Sequence, residues 1–450
     1  MKRINIEQSR GIGYTIQQRR LAVMRWNEEP KGKSEKDSEE KKEEPFSFLQ
    51  ETIKPEPIAH KQVREKLIKL AVCGVLLGMF ACLGFYALKP WAQKLFSGSP
   101  QTVMLPEDTE ETQDTEEENP QEKKEEPQIL KAEDYESMMQ SVYKIAADAG
   151  KSIVTVYGEK ELGNLTADPV ESCTGMIAAD NGQELLILSN NSVCAGSSVW
   201  NVKFSDGNQY EATLKKQDMN SHLAVFGVKR EQIKKSTWEN VRTACFGNSN
   251  LVTQGEMVIA VGNMFGYSEG LGYGIISSDA HEKAIPDHTF GVLATDIPAA
   301  ERCSGVLCNL KGEIIGLIDS EIWSEDRGTT VNAYAISDLK STMELLLNSQ
   351  SVPYVGLYGE TVSSDISKSK AIPSGMYVTQ VQADSPAMAA GIQSGDVIQT
   401  VNGTKITTMA QYEEALQACK ADTNIQIEGQ RLGAGKYVDI SFQVTVRSRE

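Results

Sequence analysis

The sequence predicts a mainly β protein, with two consecutive β-rich domains behind one N-terminal transmembrane helix. Three observations predict it. A single uncharged apolar run lies near the N-terminus. Beyond an acidic segment, many short β-rich runs alternate with turn residues. A second, shorter β-rich stretch with two helical signals closes the chain.

The 450 residues exceed one ordinary core and imply about two to three domains. Residues 1–69 are polar, and 28–45 are rich in Lys, Glu, Ser and Pro. Such a composition buries too little apolar surface to offset chain entropy, so 1–69 is expected to be largely disordered, with a short helix around 17–26. Leu70–Leu88 carries no charge, and its length matches a bilayer core of about 30 Å at ~1.5 Å per residue. Lys61, Arg64, Lys66 and Lys69 precede the run, whereas Lys89 and Lys94 follow. The positive-inside rule then puts the N-terminus in the cytoplasm and everything after Lys89 outside the cell membrane, with Tyr86 and Trp91 at the interface. Residues 97–130 are dominated by Glu with Pro and Thr, which predicts an extended, disordered tether.

Residues 133–348 form the first predicted domain. Runs such as SIVTVYG, ELLILS, MVIAVGN and EIIGLID recur at roughly 8–15-residue spacing, the signature of an all-β barrel or sandwich. Helices are expected at Tyr135–Ala149 and Ser337–Leu347. Residues 353–447 form the second. Strands are expected there at 355–358, 376–381, 397–401, 423–430 and 438–446, with helices near 386–390 and 409–418.

Several segments resemble the HtrA/Deg family of trypsin-like proteases: LILSNNSV (186–193), FSDGNQYEATLKKQD (204–218), SHLAVFGV (221–228), FGNSNLVTQGEMVIAVGNMFG (246–266) and SGVLCNLKGEIIGL (304–317). They stand in that family's order and spacing. The resemblance implies a trypsin-like double β-barrel for 133–348. Residues 353–447 resemble a PDZ domain. There Tyr354-Val355-Gly356-Leu357 looks like the carboxylate-binding loop, and Asp384-Ser385-Pro386-Ala387, Gly395-Asp396-Val397-Ile398 and Asn402-Gly403 follow the PDZ pattern. Pro386 suits a helix start, and Asn402-Gly403 suits a hairpin turn. The implied ligand is a peptide or protein C-terminus, added as a strand and held by the backbone N–H groups of residues 354–357.

The resemblance also locates the catalytic positions, and they are degenerate. A serine protease of this fold needs a Ser nucleophile, a His base and an Asp that orients the His. Ser192 stands at the base position, and a hydroxyl is no general base near neutral pH. His222 stands at the acid position. The nucleophile falls on Cys303 when the downstream strand is aligned and on Ser304 when the upstream Thr295-Asp296 is. The Gly that shapes the oxyanion loop is replaced by Glu301 or Arg302, so that loop is expected to relax. Without a base, Cys303 would keep an ordinary thiol pKa of about 8.5. His281 and His288 are placed in a loop.

Of the eight cysteines, six follow the apolar run. Trypsin-like proteases of the secreted type imply a Cys173–Cys194 disulfide. Pairing of Cys303 with Cys308 or Cys245 would make Cys303 structural, and connectivity stays open. No metal-ligand spacing and no cofactor motif appears. The formal net charge of −17 argues against nucleic acid as a partner, because a phosphate backbone needs a basic face. Three functions remain: a membrane-anchored pseudoprotease that captures peptides in envelope quality control or signalling; an active endopeptidase using Cys303 or Ser304; and a non-catalytic subunit of an active HtrA-like oligomer. Homo- or hetero-trimers are implied by the family resemblance.

Overall fold

The computed structural model describes residues 101–106, 108, 131–159, 169–320, 322 and 329–450. The expected transmembrane run at 70–88, the tail 1–69 and most of the expected tether lie outside the described residues. Among the described residues no helix is long and apolar enough to cross a membrane.

Helix α1 (Ala132–Ala149) enters the first of two closed barrels. That barrel consists of β1 (Ile153–Glu159), β2 (Pro169–Asp180), β3 (Glu184–Asn190), β4 (Val199–Lys203), β5 (Gln209–Asp218) and β6 (Leu223–Lys229). Its strand order is β1-β2-β3-β6-β5-β4. Short helix α2 (Lys235–Asn240) leads out of it. The second barrel has β7 (Met257–Asn263), β8 (Gly270–Ile285), β9 (His288–Pro298), β10 (Ser304–Cys308), β11 (Ile314–Asp319) and β12 (Thr330–Ala335), in the order β10-β11-β12-β9-β8-β7. Val156, Ile187 and Phe226 fill the first barrel, and Ile276, Leu307 and Val331 the second, all fully buried.

Helix α3 (Ile336–Leu347) joins the barrels. Its Ile336, Leu339, Met343 and Leu346 recur at helical spacing and pack with Leu188, Val225 and Val306 into one cluster. Fully burying each such side chain contributes about 1.5–3 kcal/mol, so this stripe fixes how the barrels face one another.

The C-terminal sheet runs β13 (Leu357–Thr361), β14 (Met376–Val381), β15 (Val397–Val401), β17 (Asn424–Gly433) and β18 (Lys436–Thr445), with β16 (Thr404–Lys405) paired to β15. Helices α4 (Ser364–Lys370), α5 (Pro386–Ala390) and α6 (Met409–Gln417) accompany it. Strand β13 has only β14 as its neighbour, so its other edge is open. Pro386 opens α5 behind an Ser385 cap, whose hydroxyl accepts the Met388 N–H at 3.1 Å.

Three expectations are corrected. Residues 355–356 are loop, and the strand starts at Leu357. The loop's left-handed Gly356 cannot continue a ladder. His281 and His288 lie on β8 and β9 and not in a loop. The outer half of this hairpin exposes most of its side chains, so no apolar alternation marks it. Finally, Gln101–Pro106 is docked and not an extended tether. Val103 and Leu105 pack on the inter-barrel cluster, and Val103 N–H donates to Asn348 Oδ1 at 2.9 Å.

Candidate functional site

Three of the four expected catalytic positions, Ser192, Cys303 and Ser304, share one cleft between the barrels. Cys173, Asn190, Ser192, Cys303, Ser304 and Asp319 line it. Ser192 sits on the short turn Asn191–Cys194 after β3, where Asn190 Oδ1 accepts its N–H at 2.8 Å. Its hydroxyl lies 3.2 Å from Cys173 Sγ. His222, at the acid position, does not line the cleft. It ends the turn between β5 and β6 with φ 56°, and its carbonyl accepts the Asn191 N–H at 2.9 Å. Asp218, just before that turn, is buried and accepts both the N–H and the hydroxyl of Ser221 at 2.8 and 2.7 Å. Burial pushes its carboxyl above the usual range, against the lowering pull of Ser221.

Cys303 is buried at the mouth of β10. Burial, with the Asp319 carboxylate adding to it, pushes its thiol up to about 11. Both influences disfavour the thiolate, the form that attacks. Arg302 lines the same cleft, but the largest influences on the thiol are burial and the Asp319 carboxylate, and both act against the activated form. Asp319 itself receives Asn190 Nδ2 at 3.2 Å.

Ser304 is tied into the contact between barrels. Its Oγ accepts the Thr174 N–H at 3.0 Å and donates to Thr174 Oγ1 at 3.2 Å, while Thr174 Oγ1 donates to the Ser304 carbonyl at 2.9 Å. The hydroxyl therefore faces β2 and its partners are backbone and hydroxyl, with no imidazole among them. Neither Glu301 nor Arg302 has a positive φ. The strained backbone an oxyanion loop needs is absent at these positions.

The expected Cys173–Cys194 bridge is not formed, and none of the six described cysteines is disulfide-bonded. Cys173 Sγ is instead in contact with the Ser192 hydroxyl. Burial, and then the nearby Cys173, raises the Cys194 thiol to about 11.

The second expected site is the loop Tyr354–Leu357. The N–H groups of Val355, Gly356 and Leu357 converge on one point, where they meet the Asp287 carboxylate at 2.7, 2.7 and 3.0 Å. Tyr354 does not join them, because its N–H donates to the Arg447 carbonyl at 2.7 Å. Asp287 and Tyr412, whose hydroxyl donates to Asp287 Oδ1 at 2.7 Å, were not singled out by sequence. Pro286-Asp287 between two β-runs reads only as a turn, and nothing local reports its distant partner. Among the described residues, no group of His, Cys, Asp and Glu is placed to hold a metal ion.

Comparison with known proteins agrees with this geometry. Residues 173–317 match the trypsin-like peptidase domain family, and residues 377–428 match the PDZ domain family. The chain is similar to the periplasmic serine endoprotease DegP of Salmonella typhimurium, at 28% identity over 273 residues, covering 58% of this chain and 55% of that one. A probable periplasmic serine endoprotease DegP-like protein of Pseudomonas fulva is 30% identical over 276 residues, covering 60% and 55%. The chain thus spans about half the length of these curated relatives. A solved structure titled HtrA-type protease AlgW with decapeptide aligns with a TM-score of 0.49 at 20% identity, covering 68% of this chain and 99% of that one. Two barrels that share a cleft, and a sheet whose loop gathers three N–H groups on a carboxylate, fit the two matched families: a trypsin-like peptidase domain followed by a PDZ domain.

Proposed function

We propose that this chain is an HtrA-type pseudoprotease, which holds peptides or protein C-termini through its PDZ domain and does not hydrolyse them. One observation carries the reading: no histidine lines the cleft that holds Ser192, Cys303 and Ser304. Without a base, neither nucleophile is activated, and loss of a triad member costs several orders of magnitude in rate. The raised Cys303 thiol and the inter-barrel bonds of Ser304 support the same reading. The PDZ loop supports peptide capture, since its converging N–H groups donate to a carboxylate.

A paired test separates structure from chemistry. Ser304→Ala should destabilise the fold by about 1–3 kcal/mol, because it leaves the buried Thr174 N–H without its acceptor. It should leave casein turnover at the level of the blank, as should Cys303→Ala. Turnover above the blank in the parent and lost in either folded variant would restore the endopeptidase reading.

The uncharged run at 70–88 and its basic flank support a single membrane anchor with a cytoplasmic N-terminus. The relatives are named periplasmic, which supports an extracytoplasmic place for the folded domains and a role in envelope quality control or signalling. Protease added to intact protoplasts should remove the folded domains and spare the tail. Protection of the PDZ domain would refute this topology.

A further inference from the structure

The carboxylate loop of the PDZ domain already has an occupant, and it comes from the peptidase domain. Asp287 sits at the tip of the β8–β9 hairpin, next to the closing pair Ile285–His288. Its side chain is fully engaged. Oδ2 accepts the Val355 and Gly356 N–H groups, and Oδ1 accepts the Leu357 N–H and the Tyr412 hydroxyl. A carboxylate offers about four lone-pair positions, and these four donors fill them. The backbone of Asp287 completes the pattern, since its N–H donates to the Leu357 carbonyl at 2.7 Å. A peptide added as a strand at this edge makes the same two kinds of contact, a carboxylate on the loop N–H groups and a main-chain N–H on the strand.

The residues beside Asp287 grip the same groove. The Thr289 N–H donates to Glu413 Oε1 on α6 at 2.8 Å. Asp287 takes a left-handed φ of 68°, which few residues other than Gly, Asn and Asp adopt at low cost. That backbone is what the turn with Pro286 before it requires, so the engagement of the PDZ loop rests on the four bonds of the Asp287 side chain.

We propose that Asp287 is an internal stand-in for a peptide C-terminus, closing the PDZ loop until a ligand with a free main-chain carboxylate displaces it. The proposal rests on the peptide-capture reading above and adds its regulation. The apparent affinity for peptide is divided by the fraction of molecules whose loop is open. The hairpin that is expelled belongs to the second barrel, so occupancy of the PDZ domain is coupled to the peptidase domain through this hairpin tip.

The test uses the full-length chain, Asp287→Gly and Asp287→Asn. Gly removes the carboxylate while accepting the left-handed backbone, and Asn keeps the shape without the charge. The probe is a pool of fluorescein-labelled decapeptides with four randomised C-terminal positions and a free carboxylate, compared with the same pool amidated. In the absence of peptide, the amides of Val355, Gly356 and Leu357 should exchange at least tenfold faster in Asp287→Gly than in the parent. The free-carboxylate pool should bind Asp287→Gly at least tenfold more tightly than the parent, with Asp287→Asn between them and the amidated pool unbound. Equal exchange in parent and Asp287→Gly would overturn the internal ligand. Faster exchange with no binding of either pool by any variant would leave the Asp287 contact standing and overturn peptide capture itself.

Discussion

Arg431→Ala should destabilise the PDZ domain by about 3–5 kcal/mol, the cost of leaving a buried charge without its partner. Asp396 is fully buried beneath the turn before β15. Arg431 on β17 reaches it with a two-pronged contact, Nε to Oδ1 at 2.6 Å and Nη2 to Oδ2 at 2.7 Å. The same Nη2 donates to the Gly391 carbonyl at 2.9 Å, which caps helix α5. Once Arg431 is gone, Asp396 keeps the Gln393 N–H at 2.9 Å, and a lone amide is poor compensation for a buried anion. The Arg431 side chain is 31% exposed, so solvent access places the effect at the lower end of the range. Urea unfolding followed by hydrogen exchange of β17 reads the loss. A change under about 1 kcal/mol would show that water replaces the guanidinium without penalty.

Gly356→Glu should abolish binding of free-carboxylate peptides, with at least a hundredfold loss of affinity. Gly356 has φ 93°, and any side chain there is strained by about 1–3 kcal/mol. A Cβ would also meet the side chain of Ser385, which caps α5, and come within 2.8 Å of the Tyr354 hydroxyl. The loop must then shift its N–H groups away from their common point, and the added carboxylate repels the ligand's. The effect is measured in the Asp287→Gly background, where the loop is open. Unchanged affinity there would mean that peptides bind elsewhere on the domain.

Much of this molecule was legible in the sequence because local pattern and burial agree. The uninterrupted apolar run of β3 and the helical stripe of α3 announce themselves, and the structure places them within a residue or two of expectation. The Pro386 helix start and the strand at Met376–Val381 are equally local. What was missed is long-range or unpatterned. Asp287 meets its partners some seventy positions away, and a Pro-Asp turn gives no sign of it. The outer part of β8, residues 277–284, exposes most of its side chains, so it lacks the period that marks strands. Helix α4 has no buried residue, and only its Ser363 cap could have indicated it. Docking of residues 101–106 depends on Val103 and Leu105, which flank an exposed Met104 in a three-residue apolar run too short to form a pattern. At the cleft only residue types were legible in the sequence, while the structure gives their surroundings: a buried Cys303 thiol beside Asp319 and a Ser304 hydroxyl bonded to Thr174.

The claim on which the rest depends is that the cleft no longer cuts. The direct measurement is mass spectrometry of unfolded, reduced casein after a day with the purified full-length chain, at neutral and mildly alkaline pH, beside the Cys303→Ala/Ser304→Ala double variant. The account predicts identical peptide profiles for the two chains at both values, indistinguishable from casein alone. New casein peptides that accumulate with the parent chain and vanish with the folded double variant would contradict it.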